Sequence, residues 1–237
     1  MAGGQKPFQA QTNGTPKSLA DDKLKPTSEM HILVGGPYGE SHPYGHTALY
    51  IKIKSTEYVY DFGRYRAVYP EDVAFGYRLE REDSPRGEGI LRIWNSFSAY
   101  IAEENSTGRV TSGYKYKVFD YEASRAIDYY QSLTQGVKSF SQTASRASFK
   151  LSTDYFALGP NCTTLSIDGA IKVIPSIMKG SEKFIKPEDV LPFKALTAMK
   201  LKYGTPERIF LPANLKKYMD TAPAIAPVEV TNYGSKK

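Results

Sequence analysis

Gly159-Pro160-Asn161-Cys162-Thr163-Thr164-Leu165 is the stretch whose reading decides the fold of this chain. It holds the only cysteine among 237 residues. An apolar pattern follows at once: Leu165, Ile167, Ala170, Ile171 and Ile174 recur at the three- and four-residue intervals of one helix face. Thr163 and Thr164 fall in the first turn of that helix, and Pro175 stands where the pattern ends. The spacing therefore places Cys162 at a helix N-terminus. Unpaired backbone N–H groups and the positive end of the helix dipole favour a thiolate there over a thiol. A nucleophile needs that setting. The other reading of a lone cysteine is a small buried hydrophobe.

A thiol nucleophile needs an imidazole within reach and a group to orient it. The chain has three histidines. His31 lies inside Met30–Val34, an apolar first strand closed by Gly35-Gly36-Pro37, and reads as structural. His42 sits beside Pro43 in a loop from Tyr38 to Gly45. His46 opens a strand, His46 to Lys54, with Leu49, Ile51 and Ile53 on one face and the histidine an odd-even step away from that face. After Ser55-Thr56, Glu57 to Gly63 reads as a second strand, making a hairpin. His46 and Asp61 are 15 residues apart. A turn near Ser55 brings both to the same open end of the hairpin.

Further along, residues 64–89 are charged and irregular and read as a long loop or insertion over the site. Ile90–Trp94 is a strand, Ser96–Glu103 a short helix, Tyr114–Phe119 a half-exposed strand, and Tyr121–Gln135 a helix with Ala126, Ile127, Tyr130 and Leu133 on one side. Ser139–Ser148 reads as a Ser/Thr-rich linker. Pro187–Lys202 reads as helical, Arg208–Leu211 as a short strand, and Asn214–Met219 as a last turn or two of helix. The domain expected is 29–219, between a flexible N-terminal segment 1–28 and a flexible tail 220–237.

The composition excludes several classes. A single cysteine allows no internal disulfide and no zinc site built on several thiolates. No stretch approaches the apolar length of a membrane span, and Met1 to Lys25 lacks the apolar core of a signal peptide. The expectation is a chain made in the cytoplasm, or exported by a route that needs no such peptide. The net charge of +6 favours anionic partners. The basic residues are spread out, without a dense run or a nucleic-acid motif.

Gly45-His46-Thr47-Ala48-Leu49-Tyr50-Ile51, then Glu57-Tyr58-Val59-Tyr60-Asp61-Phe62-Gly63, then Asn161-Cys162-Thr163-Thr164, resembles the circularly permuted papain-like hydrolases. These include permuted NlpC/P60 peptidases, lecithin–retinol acyltransferase-like proteins and PPPDE peptidases. In ordinary NlpC/P60 enzymes the cysteine precedes the histidine in sequence; here the histidine hairpin comes first. The resemblance implies an α+β papain-like fold in which a small antiparallel sheet packs against the helix carrying the nucleophile. It implies Cys162 as nucleophile, His46 as general base and Asp61 as orienting residue, with Glu40 or His42 as alternatives in the last role. An ion pair between Asp61 and Arg64 is the non-catalytic reading of that carboxylate. No metal or cofactor is implied.

Within this group, the size, the charge and the missing signal peptide look most like type VI secretion effectors that attack peptidoglycan, antibacterial toxins delivered into the periplasm of a target cell. The partners then expected are a peptidoglycan peptide as substrate, an immunity protein and a component of the secretion apparatus. Three rivals use the same residues: a PPPDE-type isopeptidase on protein conjugates, a lipid acyltransferase or phospholipase, and a non-catalytic binding domain in which Cys162 is inert.

Overall fold

The computed structural model describes residues 25–38, 44–65, 89–155 and 159–234. The N-terminal segment up to residue 24, Glu40, His42 and most of the charged stretch after Tyr65 lie outside the described residues.

The described chain is α+β, with eight strands in one antiparallel sheet and five α-helices. The strands are β1 (Ser28–Gly35), β2 (His46–Ile53), β3 (Thr56–Gly63), β4 (Ile90–Trp94), β5 (Thr111–Val118), β6 (Ser141–Gln142), β7 (Arg146–Lys150) and β8 (Glu229–Tyr233). The helices are α1 (Phe97–Ser106), α2 (Asp120–Thr134), α3 (Cys162–Val173), α4 (Phe193–Tyr203) and α5 (Pro212–Thr221). The sheet order is β6-β7-β4-β3-β2-β1-β5-β8.

Both faces of the central strands are covered, which is why Ile32–Val34 and Ala48–Ile51 run apolar without alternation. One face packs Met30, Ile32, Leu49, Ile51, Tyr60 and Leu91 against α2, α3 and α5. The other packs Leu33, Ala48, Tyr50, Val59 and Trp94 beneath Tyr100 of α1. On the first face, Tyr60 of β3 stacks on Tyr130 of α2, with centroids 3.8 Å apart and planes 7° off parallel. Helix α3 passes close to this stack at Gly169. A Cβ there would overlap the Tyr130 hydroxyl and stand 2.8 Å from Leu49 Cδ2. Gly169→Ala should therefore destabilise the fold by about 1–3 kcal/mol, read as a lower midpoint in urea with an unchanged slope.

Several expectations change. The sheet is not small: it has eight strands, because two stretches that read as irregular supply edges. The Ser/Thr-rich linker carries β6 and β7, and Arg146–Lys150 pairs with β4. The tail taken as flexible returns as β8 on β5, Thr111 opposite Tyr233, so the ordered fold runs past residue 219. Arg208–Leu211 is not a strand; Phe210 and Leu211 are buried beside Leu191 in a small cluster of their own. Pro187–Lys202 is broken into a turn of 3-10 helix at Pro187–Asp189 and then α4, with Pro192 as the N-cap residue between them. The β2–β3 hairpin turns at Lys54-Ser55, between the pair Ile53 and Thr56.

Candidate active site

The register of three strands assembles most of the site. Ala48 lies opposite Asp61, and Asp61 lies opposite Arg92. His46 shares the parity of Ala48, so His46, Asp61 and Arg92 project from one face, the face that α1 covers. Thr47, of opposite parity, meets Thr163 of α3 through its hydroxyl at 3.1 Å. His46 is the first residue of β2, and at the strand end its ring reaches the cysteine on the α3 side. Gly45, just before it, packs closely against the end of β1: its φ is +81°, and a Cβ there would stand 2.5 Å from the carbonyl oxygen of Gly35.

Cys162 is the first residue of α3, as the sequence predicts. Asn161 caps the helix. Its side-chain oxygen accepts from the Thr164 N–H at 3.0 Å, and the Thr164 hydroxyl accepts from the Asn161 N–H at 2.9 Å. The Asn161 amide also donates to the carbonyl of Phe210 at 2.8 Å, tying the helix start to the segment that runs over it. The thiol is 2% exposed. Tyr44, Phe210, Leu211 and Pro212 line a slit of about 10 Å³ beside it. That is space for one water at most, so substrate access requires these side chains to move.

His46 Nε2 donates to Asp61 Oδ1 at 2.5 Å and faces the Tyr65 hydroxyl at 2.9 Å. The Tyr65 hydroxyl itself donates to Asp61 Oδ1. The imidazole also lies close enough to the Cys162 sulfur for each to govern the other's ionisation. On the sulfur side, the Tyr155 hydroxyl lies at 3.7 Å and the Thr163 hydroxyl at 3.9 Å. The other carboxylate oxygen, Asp61 Oδ2, accepts from Arg92 Nε at 2.8 Å and Nη2 at 2.5 Å. Arg92 Nη1 donates to Glu103 of α1 at 2.6 Å, and Glu103 accepts in turn from Arg146 at 3.1 Å. Cys162, His46, Asp61, Arg92, Glu103 and Arg146 thus form one row of alternating charge, from a nearly enclosed thiol to the protein surface.

The electrostatics follow from that row. Burial alone opposes a charged imidazole, but the Asp61 carboxylate and then the thiolate outweigh it and push His46 up to about 10. Burial raises the Cys162 thiol, and the neighbouring imidazolium more than reverses this, lowering it from its ordinary value. Asp61 is fully buried, yet Arg92 and His46 hold its carboxyl far below the carboxylate range. The favoured state is a buried thiolate–imidazolium pair.

The stability signs follow. The contribution of His46 is full below the ordinary imidazole value and is lost as pH rises through about 10. That of Cys162 is full above the ordinary thiol value and is lost as pH falls through its lowered one. Alkylation of Cys162 by iodoacetamide should accordingly rise less steeply between about pH 6 and pH 8 than that of an ordinary thiol, which speeds up nearly a hundredfold. A hundredfold rise would mean an un-ionised thiol.

The structure thus brings together all three residues singled out from sequence: Cys162, His46 and Asp61. The cation on Asp61 is Arg92, from a neighbouring strand, rather than Arg64. His31, on β1, packs edge-on against Tyr50 at 4.8 Å, and burial lowers it to about 4. Arg92, Tyr65 and Tyr155 escaped the sequence reading. Arg92 left a usable signal: it is the lone charge in Ile-Leu-Arg-Ile-Trp, and a charge in an apolar strand demands a buried partner. Tyr65 and Tyr155 left none. Among the described residues no cluster of His, Cys, Asp and Glu is arranged to hold a metal ion, and no helix is long and apolar enough to cross a membrane.

The chain matches no family model, and no curated protein and no solved structure is significantly similar to it.

Proposed function

We propose that this chain is a papain-like cysteine hydrolase, and a single observation carries the reading: the buried contact of Cys162 with His46, itself held by Asp61. A cysteine kept only for packing has no use for an imidazole pinned beside it by a carboxylate and an arginine. In the reaction, the Cys162 thiolate attacks a substrate carbonyl carbon. The C–S bond forms, the carbonyl π pair moves to oxygen, and the backbone N–H of Cys162 at the helix start helps hold that oxyanion. Collapse breaks the bond to the leaving amine, which takes a proton from the His46 imidazolium. His46, now neutral, removes a proton from water, which attacks the thioester and releases the acid. The thiolate and imidazolium are restored.

The substrate implied by the resemblance is an amide in the peptide part of bacterial peptidoglycan. The biological setting is a secreted antibacterial effector with an immunity protein in the producing cell. The net charge of +6 suits an anionic wall. Muropeptide analysis of purified sacculi digested with wild type and with Cys162→Ala tests this. New stem-peptide termini that depend on Cys162 are expected; their absence, with ubiquitin-like conjugates cleaved instead, would favour the isopeptidase.

A further inference from the structure

Helix α4 departs from the pattern of a surface helix. Its inner side is anchored by Leu196, which packs against the cluster of Leu191, Phe210 and Leu211. The opposite side of such a helix is ordinarily polar. Here it carries Phe193, 81% exposed, and Leu201, 84% exposed, the two most exposed large apolar side chains among the described residues. At about 100° per residue, Lys200, Phe193, Thr197, Leu201 and Lys194 follow one another around the helix within an arc of about 120°. All five are exposed. The arc therefore has an apolar middle and a lysine at each edge.

The charge on α4 has one sign. Its sequence holds Lys194, Lys200 and Lys202 and no acidic residue. The nearest acidic residues in the chain, Asp189 and Glu207, lie outside the helix, and Asp189 is paired with Lys217 at 3.3 Å. The helix has 11 residues and is about 16 Å long, too short to cross a hydrocarbon core of about 30 Å but long enough to lie along its surface. Two apolar side chains on one short helix fall well below the roughly 800 Å² per partner that a stable protein interface covers, and lysine is depleted from the core of such interfaces. A bilayer surface has neither requirement. Apolar side chains sink to the acyl boundary while the ammonium groups stay among the phosphates.

We propose that α4 docks this protein on an anionic phospholipid bilayer, with Phe193 and Leu201 below the headgroups and Lys194 and Lys200 at the level of the phosphates. The inference does not depend on Cys162 being a nucleophile, and it leaves the peptide amide as the substrate. It adds a position for the site. Phe210 and Leu211, packed against Leu196 of α4, also line the slit at Cys162, so docking holds that slit close to the membrane surface.

The test is co-sedimentation of the full chain with vesicles of pure phosphatidylcholine and with vesicles of equal parts phosphatidylcholine and phosphatidylglycerol. Binding is expected to the mixed vesicles alone, and it should weaken as salt rises. Phe193→Ser combined with Leu201→Ser keeps the charge and should weaken binding tenfold or more, at about the worth of two buried apolar side chains. Lys194→Gln combined with Lys200→Gln should weaken it about thirtyfold. Cys162→Ala should bind as the wild type does, which separates docking from catalysis. A local readout comes from Phe193→Trp, whose emission should shift to the blue when mixed vesicles are added; Trp94, the one native tryptophan, is buried and stays constant.

Mixed-vesicle binding that the serine pair leaves unchanged would mean attraction by net charge alone and would overturn the assignment. So would an absent blue shift, or no binding to mixed vesicles at all. A concentration-dependent dimer that the serine pair turns into monomer, with vesicle binding unaltered, would overturn it in favour of a second copy of this chain as the cover of α4.

Discussion

If the chain is the proposed hydrolase, Cys162→Ala should remove turnover by at least about a thousandfold, and His46→Ala nearly as much. The two act as one unit: the thiolate exists because the imidazolium lies beside it, and neither ionises in so buried a place without the other. Losses should therefore not add, and the double variant should be no worse than Cys162→Ala alone. The fold should survive the cysteine change, since α3 keeps its Asn161–Thr164 cap and Cys162 lends the core little volume. The measurement is steady-state kinetics on the best substrate found, with circular dichroism as the control for folding. Cys162→Ala within a few-fold of wild type would end the cysteine mechanism. Asp61→Asn should cost less activity than either. It should also move the alkaline limb of the pH profile down from about 10, because the carboxylate is the largest influence holding the proton on His46.

Arg92→Met is expected to be the most damaging change to stability. It leaves the buried carboxylate of Asp61 without the cation that occupies two hydrogen bonds on Oδ2. It also breaks the contact with Glu103 and strips the Tyr65 ring of a guanidinium carbon lying 3.3 Å from its centroid. Removing one partner of a buried ion pair costs about 3–5 kcal/mol, which for a chain of this size lowers Tm by on the order of 10 °C. The pH dependence identifies the cause. In the wild type the folded-state pKa of Asp61 is depressed, so its contribution is present above the ordinary carboxylate range and is lost only as pH falls through the depressed value. Without Arg92 burial raises that pKa, and the variant's deficit should narrow as pH falls and Asp61 is protonated. A deficit constant with pH would mean that Arg92 acts by packing alone.

The local signals were legible because they depend on neighbours in sequence. The helix start at Cys162 follows from an N-cap asparagine, two threonines and a three-four apolar spacing. The β2–β3 hairpin follows from two alternating runs around a short polar turn, and strand parity then decides that His46 and Asp61 share a face. A lone cysteine and three histidines left few ways to assemble a thiol site.

What the tertiary structure alone decided depends on contacts between distant residues. Strand β8 carries five residues with little apolar content, and it is a strand only because β5 presents an open edge to it. Such pairing comes from backbone N–H and C=O groups, which every sequence has, so its own residues cannot announce it. Arg92 is the same kind of case: its charge was visible, but its partner was set by the β3–β4 register across a stretch of 26 residues that separates Gly63 from Ile90 in the chain. The electrostatic state of the site followed from that register. A helix N-terminus in water lowers a thiol pKa modestly. Sealed under Phe210 and Pro212 and placed at the head of an alternating row of charge, Cys162 ionises because the buried imidazolium beside it outweighs the cost of its own burial.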